Sequence, residues 1–321
     1  MIRSPRTHLQ VAALTHPGTG GRLNEDRFAV SSYRLSETNA TPALFAIVSD
    51  GIGGHQAGEV AAEMAVETIS GLVARSDGSR PLSTLDSAVQ AASQSIAARA
   101  KDDTQRLGMG TTCACAWVVG ERLFTASVGD SRIYLLRGQS ILQLTVDHTW
   151  VQEAMDKGIL KAEQVRNHPN FHVIRRYLGS PRTPQADTRL RLATDESDTQ
   201  ARRNQGMELR PGDVLLLCTD GLTDLVNDVE ILSTVHHMDL AGPGLQSAAQ
   251  ALVDLAIERG APDNVTVILA AVPAVPAAGR KFNPWLWLLV GLLAACLLGL
   301  VLLAVGLLLQ GINLPPSVLL P

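Results

Sequence analysis

The sequence predicts an α+β fold in which helices and mainly antiparallel strands form a layered sandwich, followed by one C-terminal transmembrane helix. Two observations favour the α+β class: strand-like segments follow one another through short turns, and helical segments lie in groups before and after them. A third observation, an uncharged apolar run of 25 residues near the C-terminus, predicts the transmembrane helix. The chain of 321 residues has no internal repeat and is long enough for one large domain or two ordinary ones.

Short segments that are apolar or alternating, and that are bounded by turn residues, are typical of β-strands. Six segments fit this description: residues 43–49, 112–119, 123–128, 132–136, 214–219 and 265–271. Glycine-centred turns at Gly120 and Gly138 indicate hairpins, so neighbouring strands are expected to pair antiparallel.

Apolar residues that recur with the helical period predict three helices, over residues 55–74, 82–100 and 245–259. The first two precede most of the strands, and the third precedes the last strand. Residues 195–205 are polar and lack periodicity, so we interpret them as a surface loop insertion.

The composition excludes several functional classes. The 27 Lys and Arg against 31 Asp and Glu give a net charge of −4, which argues against a nucleic-acid-binding protein. A hydrophobic content of 46% excludes overall disorder. Four cysteines in so long a chain argue against a disulfide framework, and the absence of a CxxC pair argues against a structural zinc site. Buried thiols in a reducing cytosol are therefore expected.

Residues 285–309 contain neither a charged residue nor a proline. At about 1.5 Å per residue they can span the roughly 30 Å hydrocarbon core of a bilayer. Trp285 and Trp287 suit an interfacial belt, and Arg280 and Lys281 before them orient the N-terminal side to the cytoplasm. The alternative is a buried core helix, although core helices are seldom so long or apolar on all faces.

The expected organisation is therefore a domain of residues 1–272, a Pro/Ala linker of residues 273–284, a transmembrane helix of residues 285–309 and a short extracytoplasmic tail of residues 310–321. Residues 1–17 show no apolar segment of the kind a signal peptide requires. We expect a single-pass protein of the cell membrane whose N-terminal domain is cytoplasmic.

Acidic residues stand at the ends of four predicted strands. Asp50, Asp130 and Asp220 follow strands, Asp263 precedes the last one, and Glu25-Asp26 precedes an early strand-like segment. A single Asp in such a place is usually a turn former. Several carboxylates that converge at one sheet end would repel one another unless cations compensate, and oxygen ligands suit Mg²⁺ or Mn²⁺.

The glycines after Asp50 and Asp220 allow the backbone to approach an ion closely. The sequence has no nucleophile elbow, no GxxxxGK[ST] loop and no CxxxxxR loop. Water activated by a metal is therefore the expected nucleophile.

Eight sequence blocks at and around these carboxylates resemble the protein phosphatase 2C family of metal-dependent Ser/Thr phosphatases, in its bacterial form. They cover nearly all of residues 8–272 in the family's order. The blocks are Asn24-Glu25-Asp26, Ser49-Asp50-Gly51-Ile52-Gly53-Gly54-His55-Gln56-Ala57-Gly58-Glu59, Met109-Gly110-Thr111-Thr112, Gly129-Asp130-Ser131-Arg132, Leu144-Thr145-Val146-Asp147-His148, Pro211-Gly212-Asp213, Cys218-Thr219-Asp220-Gly221-Leu222 and Asp263-Asn264-Val265-Thr266.

The resemblance implies a four-layer α-β-β-α sandwich with two Mn²⁺ or Mg²⁺ ions at one end. It implies that Asp50 bridges the ions, that Gly51 offers its carbonyl to the second ion, and that Asp220 and Asp263 hold the first. Asp26 and Glu25 would act mainly through metal-bound waters. Bacterial members bind a third ion through the Asp of the GDSR block, and the resemblance implies that Asp130 together with Asp220 would hold it here.

The implied activity is hydrolysis of phosphoserine and phosphothreonine in proteins by a metal-bridging hydroxide, with Asp50 and Asp220 as the central catalytic residues. The expected partners are a Ser/Thr protein kinase and its substrates, together with the membrane and no nucleic acid. Two alternatives remain: an inactive phosphoprotein-binding module, and a phosphatase dedicated to one regulatory protein.

The sequence departs from the family's pattern at the phosphate-binding arginine. That residue usually lies three positions before the Asn of the first block, where this chain has Gly21, and Arg22 lies two positions before it. We interpret Arg22 as the catalytic and substrate-binding arginine, because its side chain is long enough to compensate for the shift. The alternative is a surface arginine.

Ile52 stands where eukaryotic members have a histidine, so the general acid is not identified. We interpret His55 as structural. In the family, the segment of residues 147–180 is a flap beside the active site, and we interpret His148, His168 and His172 as surface residues of this flap. Trp150 could contact a phosphopeptide, although packing on the flap is the more usual role of such a residue.

Overall fold

A computed structural model describes residues 1–21, 23–52, 57–102, 106–166, 168–238, 243–274, 299, 300, 302 and 305. The chain divides into two compact units, Met1–Ala274 and Val275–Pro321. The predicted transmembrane helix lies almost wholly outside the described residues, as does most of the predicted linker. Within the part of the chain that is described, no helix combines the length and the apolar character needed to cross a membrane.

The first unit contains thirteen strands and eight helices among its described residues. The strands are β1 (Ile2–Arg3), β2 (Gln10–His16), β3 (Arg27–Arg34), β4 (Pro42–Ser49), β5 (Gly51–Ile52), β6 (Gly110–Thr111), β7 (Cys113–Val119), β8 (Arg122–Val128), β9 (Arg132–Arg137), β10 (Ser140–Gln143), β11 (Met207–Glu208), β12 (Val214–Cys218) and β13 (Val265–Ala271). The helices are α1 (Gly58–Arg75), α2 (Pro81–Lys101), α3 (Trp150–Asp156), α4 (Ala162–Val165), α5 (Asp198–Arg203), α6 (Asp220–Thr223), α7 (Asp228–His236) and α8 (Gly244–Glu258).

The strands form two large antiparallel sheets, as predicted. The first sheet has the order β1-β3-β4-β7-β8-β11, and the second has the order β10-β9-β12-β13-β2. The short strands β5 and β6 pair separately. Both predicted hairpins are present, with Gly120 (φ +61°) between β7 and β8 and Gly138 (φ +54°) between β9 and β10.

Alternating side chains along the strands divide the core into three layers. In β4, Phe45 and Ile47 pack against α1 and α2, whereas Leu44 and Val48 face the second sheet. The opposite face of the second sheet packs against α7 and α8, with Tyr134 among the buried residues. The predicted α-β-β-α arrangement of four layers is therefore confirmed.

The interpretation of residues 195–205 as an irregular loop is wrong. Residues Asp198–Arg203 form α5, and Ser197 caps it by accepting a hydrogen bond from the Gln200 amide. The Gln200 side chain in turn accepts a hydrogen bond from the Ser197 amide, which completes a capping box, and Ala201 is fully buried. A single buried alanine gives too little periodicity for a helical pattern to be seen, although the Ser-x-x-Gln spacing was a usable signal.

Candidate metal centre

The strand register brings the predicted acidic residues to one end of the sandwich. In the first sheet the start of β3 lies opposite the end of β4, and the start of β7 lies opposite the end of β8. In the second sheet the start of β9 lies opposite the end of β12, and the start of β13 lies opposite the end of β2. Asp26, Asp50, Asp130, Asp220 and Asp263 all adjoin these strand ends.

Asp26 is buried, with 2% of its surface exposed, and is held by two threonines of the second sheet. Its Oδ2 accepts hydrogen bonds from the hydroxyls of Thr219 (2.8 Å) and Thr266 (2.6 Å). Its Oδ1 is buried without a hydrogen-bond partner. Burial raises the pKa of Asp26 to about 7, although the two threonine hydrogen bonds oppose the shift.

The backbone on both sides of Asp50 is fixed by the Thr111-Thr112 pair. The Asp50 amide donates to the Thr112 hydroxyl (3.0 Å), and the Asp50 carbonyl accepts from the Thr112 amide (2.9 Å) and the Thr111 hydroxyl (2.6 Å). Burial raises the pKa of the Asp50 carboxyl well above its usual value, and repulsion from Asp220 and Asp26 raises it further. The Met-Gly-Thr-Thr block thus orients the central carboxylate.

Glycines are required where the Asp50 loop meets α1. A Cβ atom on Gly51 would clash with the backbone of Gly58, and a Cβ atom on Gly58 would lie 2.6 Å from Oε1 of Glu25. The Glu25 side chain therefore lies against the backbone that follows Asp50. Only glycine permits this close approach of two backbone segments and a carboxylate.

Asp130 is 7% exposed, and its Oδ1 is buried without a hydrogen-bond partner. The preceding Gly129 has φ +104°, a conformation that favours glycine. The following Ser131 hydroxyl lies 2.7 Å from that of Thr112, which links this loop to the Asp50 backbone. Burial, together with repulsion from Asp220, raises the pKa of Asp130.

Asp220 begins the short helix α6, and its Oδ1 is also buried without a partner. A Cβ atom on the following Gly221 would clash with the Asn264 carbonyl, so this turn packs directly on the segment before β13. Burial and repulsion from Asp263 raise the pKa of Asp220, while a hydrogen bond with Asp50 opposes the shift. Asp263 itself is exposed and accepts a hydrogen bond from the Asn264 amide.

The Asn264 side chain connects the Glu25 loop to β13. Its Oδ1 accepts from the Glu25 amide (2.7 Å), and its Nδ2 donates to the carbonyls of Pro17 and Leu23. Asn264, Thr219 and Thr266 were not predicted as site residues. The sequence places them beside the acidic residues, but only the fold reveals which groups they bind.

The residues present fit divalent metal ions. Three buried carboxylate oxygens, from Asp26, Asp130 and Asp220, have no hydrogen-bond partner among the described residues. Such groups are costly to bury unless a ligand satisfies them. The acidic groups lie close enough to one another that their mutual repulsion raises their pKa values. An all-oxygen donor set of this kind suits Mg²⁺ or Mn²⁺.

The interpretation of His148 as a flap surface residue is wrong. His148 is 4% exposed, its Nδ1 accepts from the Gly129 amide (3.0 Å), and its Nε2 lies 3.0 Å from Oδ2 of Asp187. Through these two contacts the buried His148 supports the loop that carries Asp130.

His168 is partly buried and stacks on Trp150 with ring centroids 4.7 Å apart, so Trp150 packs within the flap.

His172 is exposed, as predicted, but its Nδ1 lies 3.2 Å from Oδ2 of Asp224. Sequence reasoning missed Asp224, although it follows Asp220 by four residues, the spacing of one helical turn. Burial and repulsion from Asp220 raise the pKa of Asp224 to about 7.

Arg22 and His55 lie outside the described residues, so their predicted roles stay predictions.

Arg132, which follows Asp130 by two residues, pairs with Asp147: its Nη2 lies 2.7 Å from Oδ2 of Asp147. Its Nη1 also donates to the Tyr134 hydroxyl (2.9 Å). The pair connects the loop of Asp130 to the start of the flap. Arg132 thus helps to position the loop of Asp130.

Comparisons with known proteins agree with this architecture. The family model described as "Protein phosphatase 2C" matches residues 18–255. The chain is 36% identical over 247 residues to the serine/threonine protein phosphatase PstP of Mycobacterium tuberculosis, a match that covers 77% of this chain but only 44% of that protein. It is 30% identical over 271 residues to the protein phosphatase PhpP of Streptococcus pneumoniae, covering 82% of this chain and 98% of PhpP.

The crystal structure of the PstP catalytic domain in complex with two manganese ions superposes with a TM-score of 0.64 at 33% identity. The match covers 82% of this chain and 97% of that domain. Both the sequence and the fold of this chain thus match proteins of one kind. The chain belongs to the protein phosphatase 2C family.

Proposed function

We propose that this chain is a metal-dependent protein phosphatase that hydrolyses phosphoserine and phosphothreonine in proteins. The observation that carries the proposal is the group of buried, unpartnered carboxylate oxygens of Asp26, Asp130 and Asp220 at one end of the sandwich. Membership of a family whose relatives are named Ser/Thr protein phosphatases supports the reaction class.

In this proposal Asp50, the Gly51 carbonyl, Asp220 and Asp263 would hold two Mn²⁺ or Mg²⁺ ions, with Glu25 and Asp26 supporting them. Asp130 and Asp220 would hold a third ion. Divalent ions in such a site lower the pKa of water and neutralise the charge of a phosphoryl group.

The protein's own contribution is to position these groups before substrate arrives. Thr219 and Thr266 fix the orientation of the Asp26 carboxylate. The Thr112 hydroxyl joins the Asp50 backbone to Ser131 in the loop of Asp130. Such a preset arrangement reduces reorganisation during the reaction.

We propose that Arg22 binds the phosphate, as a guanidinium can contact two of its oxygens.

We also propose that residues 285–309 anchor the chain in the cell membrane, with residues 273–284 as the linker, residues 310–321 as an extracytoplasmic tail and the phosphatase domain in the cytoplasm. The uncharged apolar run and the preceding Arg280 and Lys281 support this arrangement. Anchoring would raise the local concentration of the phosphatase near a membrane Ser/Thr kinase and its substrates.

Hydrolysis of a phosphothreonine peptide by the full-length chain in mild detergent tests the phosphatase assignment. We expect turnover with Mn²⁺, none with EDTA, and none for Asp220→Asn. Asp254→Asn is the matched control, because Asp254 is an exposed helical residue that contacts Gln250. Full activity of Asp220→Asn, or turnover unaffected by EDTA, would refute the proposal.

A further inference from the structure

His172, Asp220 and Asp224 form a cluster that the sequence patterns did not assign. Each offers one ligand atom, and these atoms all lie within 4.8 Å of one another. The Nδ1 atom of His172 lies 3.2 Å from Oδ2 of Asp224. One imidazole and two carboxylates at this separation could bind a single metal ion.

The two carboxylates are placed by a single helical turn. The Asp224 amide donates to the Asp220 carbonyl at 2.8 Å, which closes the turn of α6. Residues four apart lie on the same helix face, so both side chains face the same side.

The flap supplies the histidine, and its backbone is anchored directly after that residue. The Trp150 amide donates to the Val173 carbonyl at 2.8 Å, and Thr149 pairs with Ile174 in an isolated β-bridge. Arg166 of the flap also donates to the Asp224 carbonyl at 3.1 Å. Two flap residues, Arg166 and His172, thus contact Asp224. The backbone contacts of Val173 and Ile174 also help to keep the imidazole beside the carboxylates.

A second observation points to a cation at this place. A cavity of about 170 Å³ lies between the flap and α6, and His172, Asp220, Asp224 and Asp130 all line it. Asp130 is 7% exposed and its Oδ1 has no hydrogen-bond partner. Oδ1 of Asp220 is also buried without a hydrogen-bond partner. The cavity is therefore lined by two carboxyl groups that each have an unpartnered oxygen, beside an exposed imidazole.

We infer that His172, Asp220 and Asp224 form a metal site of mixed nitrogen and oxygen donors, and that an ion bound there ties the flap to α6. The resemblance implies a third ion held by Asp130 and Asp220; this inference adds a ligand from the flap and a second carboxylate from α6. An imidazole ligand favours Mn²⁺, Co²⁺ or Zn²⁺ over Mg²⁺, which prefers oxygen. The inference concerns metal binding and flap order, so it can be tested apart from turnover.

Metal counting and spectroscopy test the ligand set. The full-length chain in mild detergent is stripped with EDTA and titrated with Mn²⁺ in equilibrium dialysis. Pulsed electron paramagnetic resonance then detects nitrogen coupling to bound Mn²⁺. We expect one class of Mn²⁺ sites to weaken at least about tenfold in His172→Ala, with loss of the nitrogen coupling. His172 has 69% of its side chain exposed, so this substitution should leave the fold intact.

His168→Ala is the matched control, because His168 lies in the same flap but stacks on Trp150 instead of facing Asp224. We expect this variant to keep the wild-type sites and the nitrogen coupling. Asp224→Asn should weaken the same class of sites as His172→Ala. Unchanged Mn²⁺ stoichiometry, affinity and coupling in His172→Ala would overturn the inference, as would an equal loss in His168→Ala.

Hydrogen exchange tests the link to the flap. We expect amides of residues 159–176 to exchange more slowly with Mn²⁺ than with Mg²⁺ in the wild-type chain, and this difference to vanish in His172→Ala. Exchange rates that are the same with both ions in the wild type would show that the bound ion does not tie the flap to α6.

Discussion

The hydroxyl of Thr266 donates a 2.6 Å hydrogen bond to Oδ2 of Asp26, which joins the second sheet to the segment that precedes β3 in the first sheet. The bond fixes one carboxylate oxygen and leaves Oδ1 buried without a partner. The two sheets therefore share one acidic centre. A carboxylate held by its neighbours in this way is oriented before any ion arrives.

Thr266→Val tests this orientation, because valine keeps the shape of the side chain and removes the hydroxyl. We expect Mn²⁺ affinity to fall about tenfold or more, since Asp26 loses one of its two threonine donors. Isothermal titration calorimetry on the full-length chain measures the change. Thr125→Val is the control: Thr125 is also buried but binds Gln205, and its loss should leave Mn²⁺ affinity unchanged.

Asp50→Asn should have opposite effects on two properties: it should stabilise the metal-free fold and weaken metal binding. In EDTA we expect a higher melting temperature than for wild type, because the substitution removes one of several closely spaced carboxylates that repel one another. A hundredfold excess of Mn²⁺ over its dissociation constant stabilises a protein by about 2.7 kcal/mol. Most of that gain should be absent in Asp50→Asn. A gain equal to that of wild type, measured by calorimetry, would contradict the assignment of Asp50.

Asp187→Asn should destabilise the domain by about 3 kcal/mol, because it leaves His148 and Arg189 without their buried partner. Urea denaturation at neutral pH measures this loss. Asp198→Asn is the control, since Asp198 contacts the same Arg189 from an exposed position and should change stability little.

The Asp187 pair should also depend on pH in a defined direction. Burial alone would raise the pKa of Asp187, but hydrogen bonds from His148 and Arg189 outweigh it and lower the pKa below its usual value. A carboxyl of this kind stabilises the fold above its unfolded-state pKa of about 3.9, and that stabilisation is lost as the pH falls below it. The stability difference between wild type and Asp187→Asn should therefore shrink in acid. A constant difference down to pH about 3 would contradict the ion pair.

Gly129→Ala should be more damaging than a substitution at another glycine with positive φ. A Cβ atom there would lie 2.6 Å from Cβ of Thr112, in addition to the strain of φ +104°. We expect a loss of about 2–4 kcal/mol on urea denaturation. Gly138→Ala is the comparison for a positive φ without a steric contact, because Gly138 has φ +54° and no atom within 4 Å of its Cβ position, and it should cost about 1 kcal/mol. Equal losses would mean that contact with Thr112 is unimportant.

Much of the fold was predictable because its signals are local. The short, nearly continuous apolar runs of β4 and β7 and the helical spacing of apolar residues in α8 can each be read from one stretch of sequence. The segment of α5 was missed because its helix depends on a capping box and one buried alanine. The strand before Asp220 ends one residue earlier than predicted, because Thr219 is already the cap of α6.

The sequence by itself determined the family blocks, the classes of secondary structure and the acidic residues at strand ends, because each depends on neighbours along the chain. Only the tertiary structure decided that His148 is buried against Asp187, that Thr266 holds Asp26, and that His172 meets Asp224. These contacts join residues 39, 240 and 52 positions apart, as their residue numbers show. Burial and convergence of charge arise only when the sheets pack, so no local pattern encodes them.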